Sequence, residues 1–341
     1  MLDADFQRLL TSLQSLAPAQ LAALGEAVRE RIASSWRVLG AAPPAPATEQ
    51  AVACPQPASP VAGPTIAAIE ARFSGAPQCP HCQSALILKW GSANGLKRYR
   101  CKACKVTFNA LTGTPLAQLH KRELWEQHAG ALLDGISLRK AAARLDVDLT
   151  TAFCWRHRFL QAAKSLKAKT LAGTVEVDET YFLRSRKGSR KLERPARKRG
   201  GKATKRGLSD EQVPVLIARD RNKATADQIL NDRSEHAITG MLGPLVSPDA
   251  VLVSDGAQAY RAFAGKARIP HVGLVLSQGE RTWGIYHVQN VNAYTSRLKG
   301  WMRRFNGVAT KYLASYLGWH RMNDREGDTL TANRIFIAAM G

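Results

Sequence analysis

The second half of the sequence predicts an α/β fold, in which a mixed β-sheet packs against helices. Short apolar runs rich in Val and Ile come first, and segments with helical periodicity follow them. The segments predicted as strands are TVEVDETYF, VPVLIARDR, ATADQIL and AVLVSDG. A long helical segment begins near His287. Strands that precede helices in this way are typical of a layered α/β domain.

Changes of composition divide the 341 residues into five segments. Leu and Ala at helical spacing predict an N-terminal helical segment, and the Pro- and Ala-rich stretch after it is typical of an extended linker. A cysteine-rich ribbon, a helical region and the α/β core follow. The predicted bounds are 1–40, 41–66, 67–115, 116–170 and 171–341, with a basic insertion at 184–207.

The chain carries 49 Lys and Arg residues against 27 Asp and Glu residues, a formal net charge of +22. Such an excess is expected of a protein that neutralises nucleic acid, although a basic membrane-surface or ribosome-associated protein would share it. The insertion 184–207 holds twelve Lys or Arg residues and one Glu, and it therefore supplies half of the excess. This density predicts a flexible arm that contacts a nucleic-acid backbone, with a solvated basic loop as the alternative.

Two further features bear on location. The N-terminus lacks the apolar core of a secretory signal, and no run of about 18 apolar residues predicts a membrane span. Four of the six cysteines form two close pairs, which is unlike a disulfide framework. We therefore expect a protein of a reducing cytoplasm with no membrane partner.

Two C-x-x-C pairs, Cys79 with Cys82 and Cys101 with Cys104, lie close together in the ribbon segment. Four thiolates on two such turns form the tetrahedral site that Zn²⁺ prefers. A segment this short has little core of its own, so the metal would be structural and would contribute free energy of folding.

The stretch GISLRKAAARLDVDLTTAFCWRHRFL has the layout of a helix-turn-helix. Ser137 would cap a first short helix, a turn would span 146–148, and a second helix would run from Thr150. A plain helical bundle that links two domains would show the same pattern. Basic residues late in the second helix favour DNA binding, whereas Cys154 and Trp155 are predicted to be packing residues.

Two of the predicted strands end in an aspartate, Asp178 in VEVDET and Asp255 in VLVSDG. Strand ends at one edge of a sheet are where α/β proteins place reactive groups, and two adjacent aspartates can share divalent ions. An aspartate that only caps a strand would look like Asp178. Glu179 should point to the opposite face because side chains alternate along a strand, so we expect it to stay out of a shared metal site. Asp220 is predicted to be a salt-bridge or turn residue.

These features resemble the DDE-type insertion-sequence transposases that carry an N-terminal zinc ribbon, over residues 79–319. The resemblance implies a ribonuclease H-like catalytic core. It implies that Asp178, in DETY, and Asp255, in SDG, are the catalytic aspartates. The third position and its lysine, on a late helix, match Asn292 and Lys299. Asparagine stands where many of these enzymes have glutamate, which is similar to one branch of the family with a D-D-N-K pattern.

The third metal ligand has a rival within the sequence. Asn292 and Lys299 lie two helical turns apart and share a helix face, and an amide oxygen can still bind Mg²⁺. Glu280, in SQGERTW, would restore three carboxylates, but its surroundings do not match the family's motif. His287 is predicted to be a helix-start residue rather than a ligand.

The resemblance also implies an activity. Two Mg²⁺ or Mn²⁺ ions, held by Asp178, Asp255 and Asn292, would assist phosphoryl transfer. A homo-oligomer would bind double-stranded DNA at the terminal inverted repeats of its element, cut it, and join the 3′-OH ends to target DNA in the bacterial cytoplasm, as part of the nucleoid when bound. Two alternatives stay open: a DNA-binding regulator with an inactive core, and a ribonuclease H-like nuclease that cannot join strands.

Basic residues of the ribbon, the second helix and the insertion are expected to contact DNA phosphates. These residues are Lys97, Arg98, Arg100, Arg156, Arg158, Arg186, Lys187, Arg197, Lys198 and Arg199.

Overall fold

The computed structural model describes residues 64–71, 73, 75, 77–192, 195, 201, 203–205, 209–275 and 278–341, together with residues 20, 23 and 27. The chain has two compact units, Met1–Ser59 and Pro60–Gly341. In the first unit, residues 20, 23 and 27 are helical and exposed. The rest of the predicted N-terminal segment, and the predicted linker up to residue 63, lie outside the described residues, and so do Arg197, Lys198 and Arg199 of the insertion. All elements named below belong to the second unit.

The predicted ribbon is a three-stranded antiparallel sheet with the order β1-β2-β3. Its elements and the helix before it are α1 (Pro64–Ala71), β1 (Ile87–Ala93), β2 (Leu96–Cys101) and β3 (Thr107–Asn109). Asn94 and Gly95 both have positive φ and form the two-residue turn that a tight hairpin favours. Tyr99 and Phe108 stack inside the ribbon with ring centroids 5.7 Å apart. The ribbon's own core is therefore small and aromatic.

Three short α-helices follow the ribbon. They are α2 (Trp125–Leu133), α3 (Leu138–Leu145) and α4 (Leu149–Phe159), with 3₁₀ turns at Arg122–Leu124 and Ala162–Lys164. The Ser137 hydroxyl accepts a hydrogen bond from the backbone of Lys140 and caps α3, and the Asp148 carboxylate does the same for α4. Asp146 adopts a left-handed conformation in the turn between them. The two helices and the Ser137 cap are as the sequence predicts.

One apolar core joins the ribbon, these helices and the C-terminal helix α9 (Ala332–Met340). Leu96 of the ribbon, Trp125 of α2 and Phe336 of α9 all lie within it. Trp155 packs there as predicted, but the prediction that Cys154 packs with it is wrong, because α4 turns Cys154 to solvent. The helical region is thus continuous with both its neighbours.

The sheet of the α/β core has five strands in the order β6-β5-β4-β7-β8. The strands are β4 (Thr174–Leu183), β5 (Gln212–Asp220), β6 (Thr225–Ile229), β7 (Val251–Ser254) and β8 (His271–Gly273). β4, β5 and β6 are mutually antiparallel neighbours, whereas β7 pairs in parallel with β4 and β8 in parallel with β7. The predicted mixed sheet and its four predicted strands are confirmed. The three-residue strand β8 is too short to leave a periodic signal and was not predicted.

Helices cover both faces of this sheet. They are α5 (Glu235–Leu242) and α6 (Gln258–Ala267) on one face, and α7 (Gln289–Arg303) and α8 (Thr310–Glu326) on the other. Alternate residues of β4 and β5 serve the two faces: Val175 and Leu216 meet α5 and α6, while Ile217 meets α7 and α8. Burial on both faces explains why these strands are continuously apolar in sequence.

A search of the described helices for a stretch long and apolar enough to cross a membrane finds none.

Candidate active site

Asp178 and Asp255 lie side by side because of the register between two parallel strands. The last paired residues of β4 and β7 are Glu176 and Val253, and the same register continued by two residues sets Asp178 opposite Asp255. Asp255 follows the end of β7, as predicted. β4 instead continues to Leu183, so Asp178 lies inside its strand, not at its end.

A third carboxylate, that of Glu179, belongs to the same cluster. Oxygen atoms of Asp178, Glu179 and Asp255 all lie within 4.8 Å of one another. The expectation that strand alternation would keep Glu179 away from a shared site is therefore wrong. Alternation fixes only the direction of the Cα–Cβ bond, and the longer glutamate side chain still brings an oxygen atom into the group. We call these three residues the acidic cluster.

Two side chains hold Glu179 from the α5–α6 face of the sheet. The Tyr260 hydroxyl donates a 2.7 Å hydrogen bond to one carboxylate oxygen, and the Arg233 guanidinium donates one of 3.3 Å to the other. Burial and the charge of Glu179 raise the pKa of Tyr260, so it remains a protonated donor. Glu179 is thus oriented by neighbours that do not hold Asp178 or Asp255.

The acidic cluster concentrates negative charge in a partly desolvated place. Burial raises the pKa of Asp178 to about 6, and the charges of Glu179 and Asp255 act in the same direction. A hydrogen bond from the Glu179 backbone N–H to the Asp178 carboxylate, and the positive charge of Lys299, act in the opposite direction. Carboxylates crowded in this way favour a bound cation, and a divalent metal with oxygen ligands fits the donor set.

Helix α7 carries both Asn292 and Lys299. Its apolar face, with Val291 and Leu298, packs against the sheet, and Asn292 and Lys299 are exposed beside that face. Lys299 is linked to the acidic cluster by its charge. Asn292 lies on the same helix, near its N-terminal end.

Glu176 fixes the start of α7, a role that sequence reasoning missed. Its fully buried carboxylate accepts hydrogen bonds from the backbone N–H groups of Asn290, at 2.7 Å, and Val291, at 3.0 Å, and from the Asn290 side-chain amide. The Arg221 guanidinium lies 3.2 Å from it. Because Glu176 and Asp178 share a strand face, this clamp ties α7 to the strand that carries Asp178. The signal in the sequence was an acidic residue between two valines.

Three other acidic or imidazole candidates have local structural roles. Glu280 accepts a hydrogen bond from the backbone of Val275 and closes its own loop, and it is not part of the acidic cluster. The Nδ1 atom of His287 accepts a hydrogen bond from the Gln289 backbone at the start of α7, as expected of a helix-start residue. Asp220 accepts backbone hydrogen bonds in the β5–β6 turn, which confirms the turn assignment.

The four predicted cysteines meet at the open end of the ribbon. The sulfur atoms of Cys79 and Cys104 are 3.6 Å apart, and those of Cys82 and Cys101 are 3.5 Å apart. All four sulfur atoms lie within 4.8 Å of one another, close enough to bind a single metal ion. A hydrogen bond from the Cys104 backbone lowers the pKa of Cys101, whereas burial and the neighbouring cysteines raise the pKa of Cys104. Four sulfur donors at this spacing fit a tetrahedral metal site.

The predicted DNA contacts within the ribbon lie on and beside one sheet face. Arg98 and Arg100 alternate with the buried Tyr99 and so share the opposite face of β2. Arg100 lies 4.7 Å from the ring centre of the partly exposed Trp90, and Lys97 is exposed. This face presents cations and an aromatic ring together.

Two predicted DNA contacts on α4 are corrected by the structure. Arg156 is 1% exposed, donates to the Ile136 carbonyl at 2.7 Å and packs against aromatic rings, so it cannot contact DNA in this fold. Arg158 is half-buried and donates to the carbonyls of Pro115 and Ala117. Both guanidiniums therefore bind backbone carbonyls of the protein itself.

The insertion begins at Arg184, beyond the end of β4. Arg186 and Lys187 are exposed, and the Lys187 ammonium donates to the Gly307 carbonyl at 3.0 Å. The Thr310 backbone N–H, at the start of α8, donates to the Ser185 carbonyl, and the Ser185 backbone N–H donates to the Thr310 hydroxyl. The base of the insertion is therefore held against α8.

The segment that contains the acidic cluster has relatives among known proteins. Residues 170–319 match the family model of the ISXO2-like transposase domain. The chain is also 28% identical, over 259 residues, to an uncharacterized protein in transposable element ISH50 of Halobacterium salinarum, an alignment that covers 72% of this chain and 84% of the relative. The segment is thus similar to a transposase domain, and most of the chain is similar to a protein of a transposable element.

Solved transposase structures give only a faint likeness. The pre-cleavage Mos1 transpososome matches at 10% identity and a TM-score of 0.17, covering 63% of this chain and 79% of the other. The Mos1 strand transfer complex matches at 10% identity and a TM-score of 0.20, covering 63% and 78%. Likeness at this level carries no argument about the site.

Proposed function

We propose that this chain is an insertion-sequence transposase with a ribonuclease H-like core. It would bind the terminal inverted repeats of its element, cleave the DNA strands and join their 3′-OH ends to target DNA. The observation that carries the proposal is the β4–β7 register, which sets Asp178 beside Asp255 within a segment that matches a transposase domain. The layered fold with a mixed sheet is consistent with such a core.

Divalent metal ions, Mg²⁺ or Mn²⁺, are proposed for the acidic cluster. Asp178, Asp255 and Asn292 would hold these ions, with Asp178 as the central carboxylate. The chemistry that such ions supply when bound is activation of the attacking hydroxyl and stabilisation of the leaving oxygen. Glu179 is a further candidate ligand, and its bonds to Tyr260 and Arg233 favour an orienting role.

The chain's own residues would position the DNA strand. Lys299, whose charge reaches Asp178, would hold a phosphate oxygen as a point charge beside the cluster. Glu176 would keep α7, and with it Asn292 and Lys299, in register with Asp178. The reacting groups would thus be aligned by two neighbouring strands and one helix, a rigid arrangement that suits in-line phosphoryl transfer.

The decisive experiment measures cleavage of DNA that carries the element's ends, with Mg²⁺ or Mn²⁺ present. Asp178→Asn and Asp255→Asn should each reduce cleavage by at least roughly 100-fold, because each removes charge from the site where transition-state charge is neutralised. Asp328→Asn, an exposed aspartate outside the cluster, should cleave like the parent protein. Cleavage that persists in both cluster variants would refute the proposed site.

The same assay assigns the third ligand and the reaction class. Asn292→Ala should abolish cleavage while Glu280→Ala keeps most of it, and the reverse result would transfer the role to Glu280. Pre-cut ends incubated with target DNA should give joined product, which a simple nuclease would not form. A protein that binds the ends yet never cuts them would be a regulator with an inactive core.

We propose further that the four ribbon cysteines hold one structural Zn²⁺, whose donor set of four sulfurs they match. Exposed cations such as Lys97, Arg186 and Lys187 would contact DNA phosphates. Double-stranded DNA is the partner that this reaction requires, a homo-oligomer on paired ends is the expected assembly, and the cytoplasm is the expected location.

A further inference from the structure

A pocket of about 620 Å³ lies away from the acidic cluster. Its walls are the two helices of the helix-turn-helix, the segment that joins α7 to α8, and the base of the insertion at Lys187. Neither Asp178 nor Asp255 lines it. A volume between about 300 and 1,000 Å³ is usual for sites that bind small ligands.

The pocket is strongly cationic and contains no acidic residue among the described residues that line it. Arg139, Lys187, Arg304 and Lys311 all contribute to its wall. Within the described part of the chain none of the four pairs with a carboxylate: Lys187 and Arg304 donate to backbone carbonyls, and Lys311 lies over an aromatic ring. Uncompensated positive charge in a concave site attracts an anion.

Aromatic rings form the other part of the wall. His157 stacks on Tyr312 with ring centroids 3.6 Å apart, and Phe153 meets both rings edge-on. Phe153 remains 38% exposed, and Leu149 beside it is 44% exposed. An exposed ring braced by two others is a preorganised stacking surface, which suits a flat aromatic ligand.

Electrostatics and chain connectivity point the same way. Burial, together with the positive charges of Arg156, Lys311 and Lys164, lowers the pKa of His157 to about 4, so the imidazole is neutral. The insertion, which carries half of the chain's net charge, starts at the pocket because Ser185 is hydrogen-bonded to Thr310. A nucleic-acid strand that follows the insertion would therefore reach this pocket.

We propose that the pocket binds a nucleotide, with its base stacked on Phe153 and its phosphate among Lys187, Lys311 and Arg139. Each half of a nucleotide matches one side of the pocket: the flat base matches the aromatic side, and the phosphate matches the cationic side. The nucleotide can come from two sources, an unpaired nucleotide of a DNA strand or a free mononucleotide. Binding at this site requires neither metal nor cleavage, so it is independent of the proposed transposase chemistry.

The test measures equilibrium binding to the full chain at constant salt without added divalent metal. The probes are a single-stranded oligonucleotide that contains 2-aminopurine, a fully paired duplex of the same sequence, dAMP, deoxyadenosine and inorganic phosphate. Phe153→Leu removes a stacking surface, so it should weaken binding of the single-stranded probe roughly tenfold and leave binding of the duplex unchanged. Lys311→Gln should also weaken binding of the single-stranded probe. Lys266→Gln, which removes the same charge from α6, should not.

The probes also separate the two sources. If dAMP binds tightly and Phe153→Leu weakens that binding, the ligand is a free nucleotide. If dAMP binds weakly but binding of the single-stranded oligonucleotide depends on Phe153, the ligand is a nucleotide of a DNA strand. Deoxyadenosine and phosphate alone should each bind more weakly than dAMP. If Phe153→Leu and Lys311→Gln fold and bind every probe like the parent chain, the pocket is not a nucleotide site. The assay measures binding alone and contains no divalent metal, which keeps this result separate from any failure of the cleavage proposal.

Discussion

At the scale of single residues, the most consequential side chain is one that does no chemistry. Glu176 is buried without solvent contact and satisfies two backbone N–H groups at the start of α7. Those groups have no partner within the helix, so a carboxylate there gains both hydrogen bonds and the attraction of the helix dipole. The same carboxylate lies two residues from Asp178 on one strand face. Its loss would disturb the site without removing any ligand.

We predict that Glu176→Gln lowers the free energy of unfolding by about 1–3 kcal/mol, because a buried amide cannot accept all of these hydrogen bonds or balance Arg221. DNA cleavage should fall further than the folded fraction does, because α7 would shift relative to β4. Urea unfolding and cleavage on the same preparations check both effects. Glu235→Gln, which removes a glutamate from the largely exposed pair with Lys266, should change stability by less than about 0.5 kcal/mol. If the two variants had the same free energy of unfolding and the same cleavage activity, the proposed role of Glu176 in holding α7 would be contradicted.

At the scale of elements, helix α8 is held to the 3₁₀ turn Ala162–Lys164 by a close backbone approach. A Cβ atom on Gly318 would clash with the carbonyl oxygen of Ala163, which belongs to rigid backbone. Arg321, one turn further along, donates to the carbonyls of the same turn and pairs with the buried Asp227. Helix α8 thus packs closely against this turn because Gly318 has no side chain and because the buried Arg321 guanidinium binds the turn's carbonyls.

We predict that Gly318→Ala destabilises the protein by about 1–3 kcal/mol or more, because the added methyl forces α8 away from that turn. Gly300→Ala on α7 is a matched control, since a Cβ atom there meets nothing within 4 Å. It should be neutral or stabilise by up to about 1 kcal/mol through helix propensity. Thermal and urea unfolding measure both, and a Gly318→Ala protein as stable as Gly300→Ala would show that the turn can move.

At the scale of the whole molecule, the ribbon and the helical region are not independent. Leu96 and Leu111 of the ribbon segment pack in the same apolar core as the buried Trp125 and Trp319. The ribbon's own core is small, so its thiolate site should stabilise a region larger than the ribbon.

We predict that the purified chain contains one zinc ion and that a strong chelator removes it. Its removal should lower the melting temperature by several degrees and change the fluorescence of the buried tryptophans, because they share the ribbon's core. Cys82→Ser should lose the metal, whereas Cys154→Ser, which changes an equally exposed cysteine outside the cluster, should keep it. Metal analysis with thermal unfolding checks this, and a folded chain with a zinc content near zero would rule the site out.

The sequence by itself determined the elements and the chemistry they carry. Alternating or continuous apolar runs identified four strands, the paired cysteines identified the sulfur cluster, and Ser137 identified the cap of α3. These are local properties, set by the spacing of neighbouring residues and by backbone groups a few residues away.

Only the tertiary structure decided which distant groups meet. The register of β4 and β7 set Asp178 beside Asp255, the reach of a longer side chain brought Glu179 into their group, and packing turned Arg156 inward. The clamp of Glu176 on α7 joins residues more than a hundred positions apart. Such contacts depend on how strands pair and helices pack, and no periodicity along the chain encodes them, which is why the acidic cluster could be anticipated in part and its supports could not.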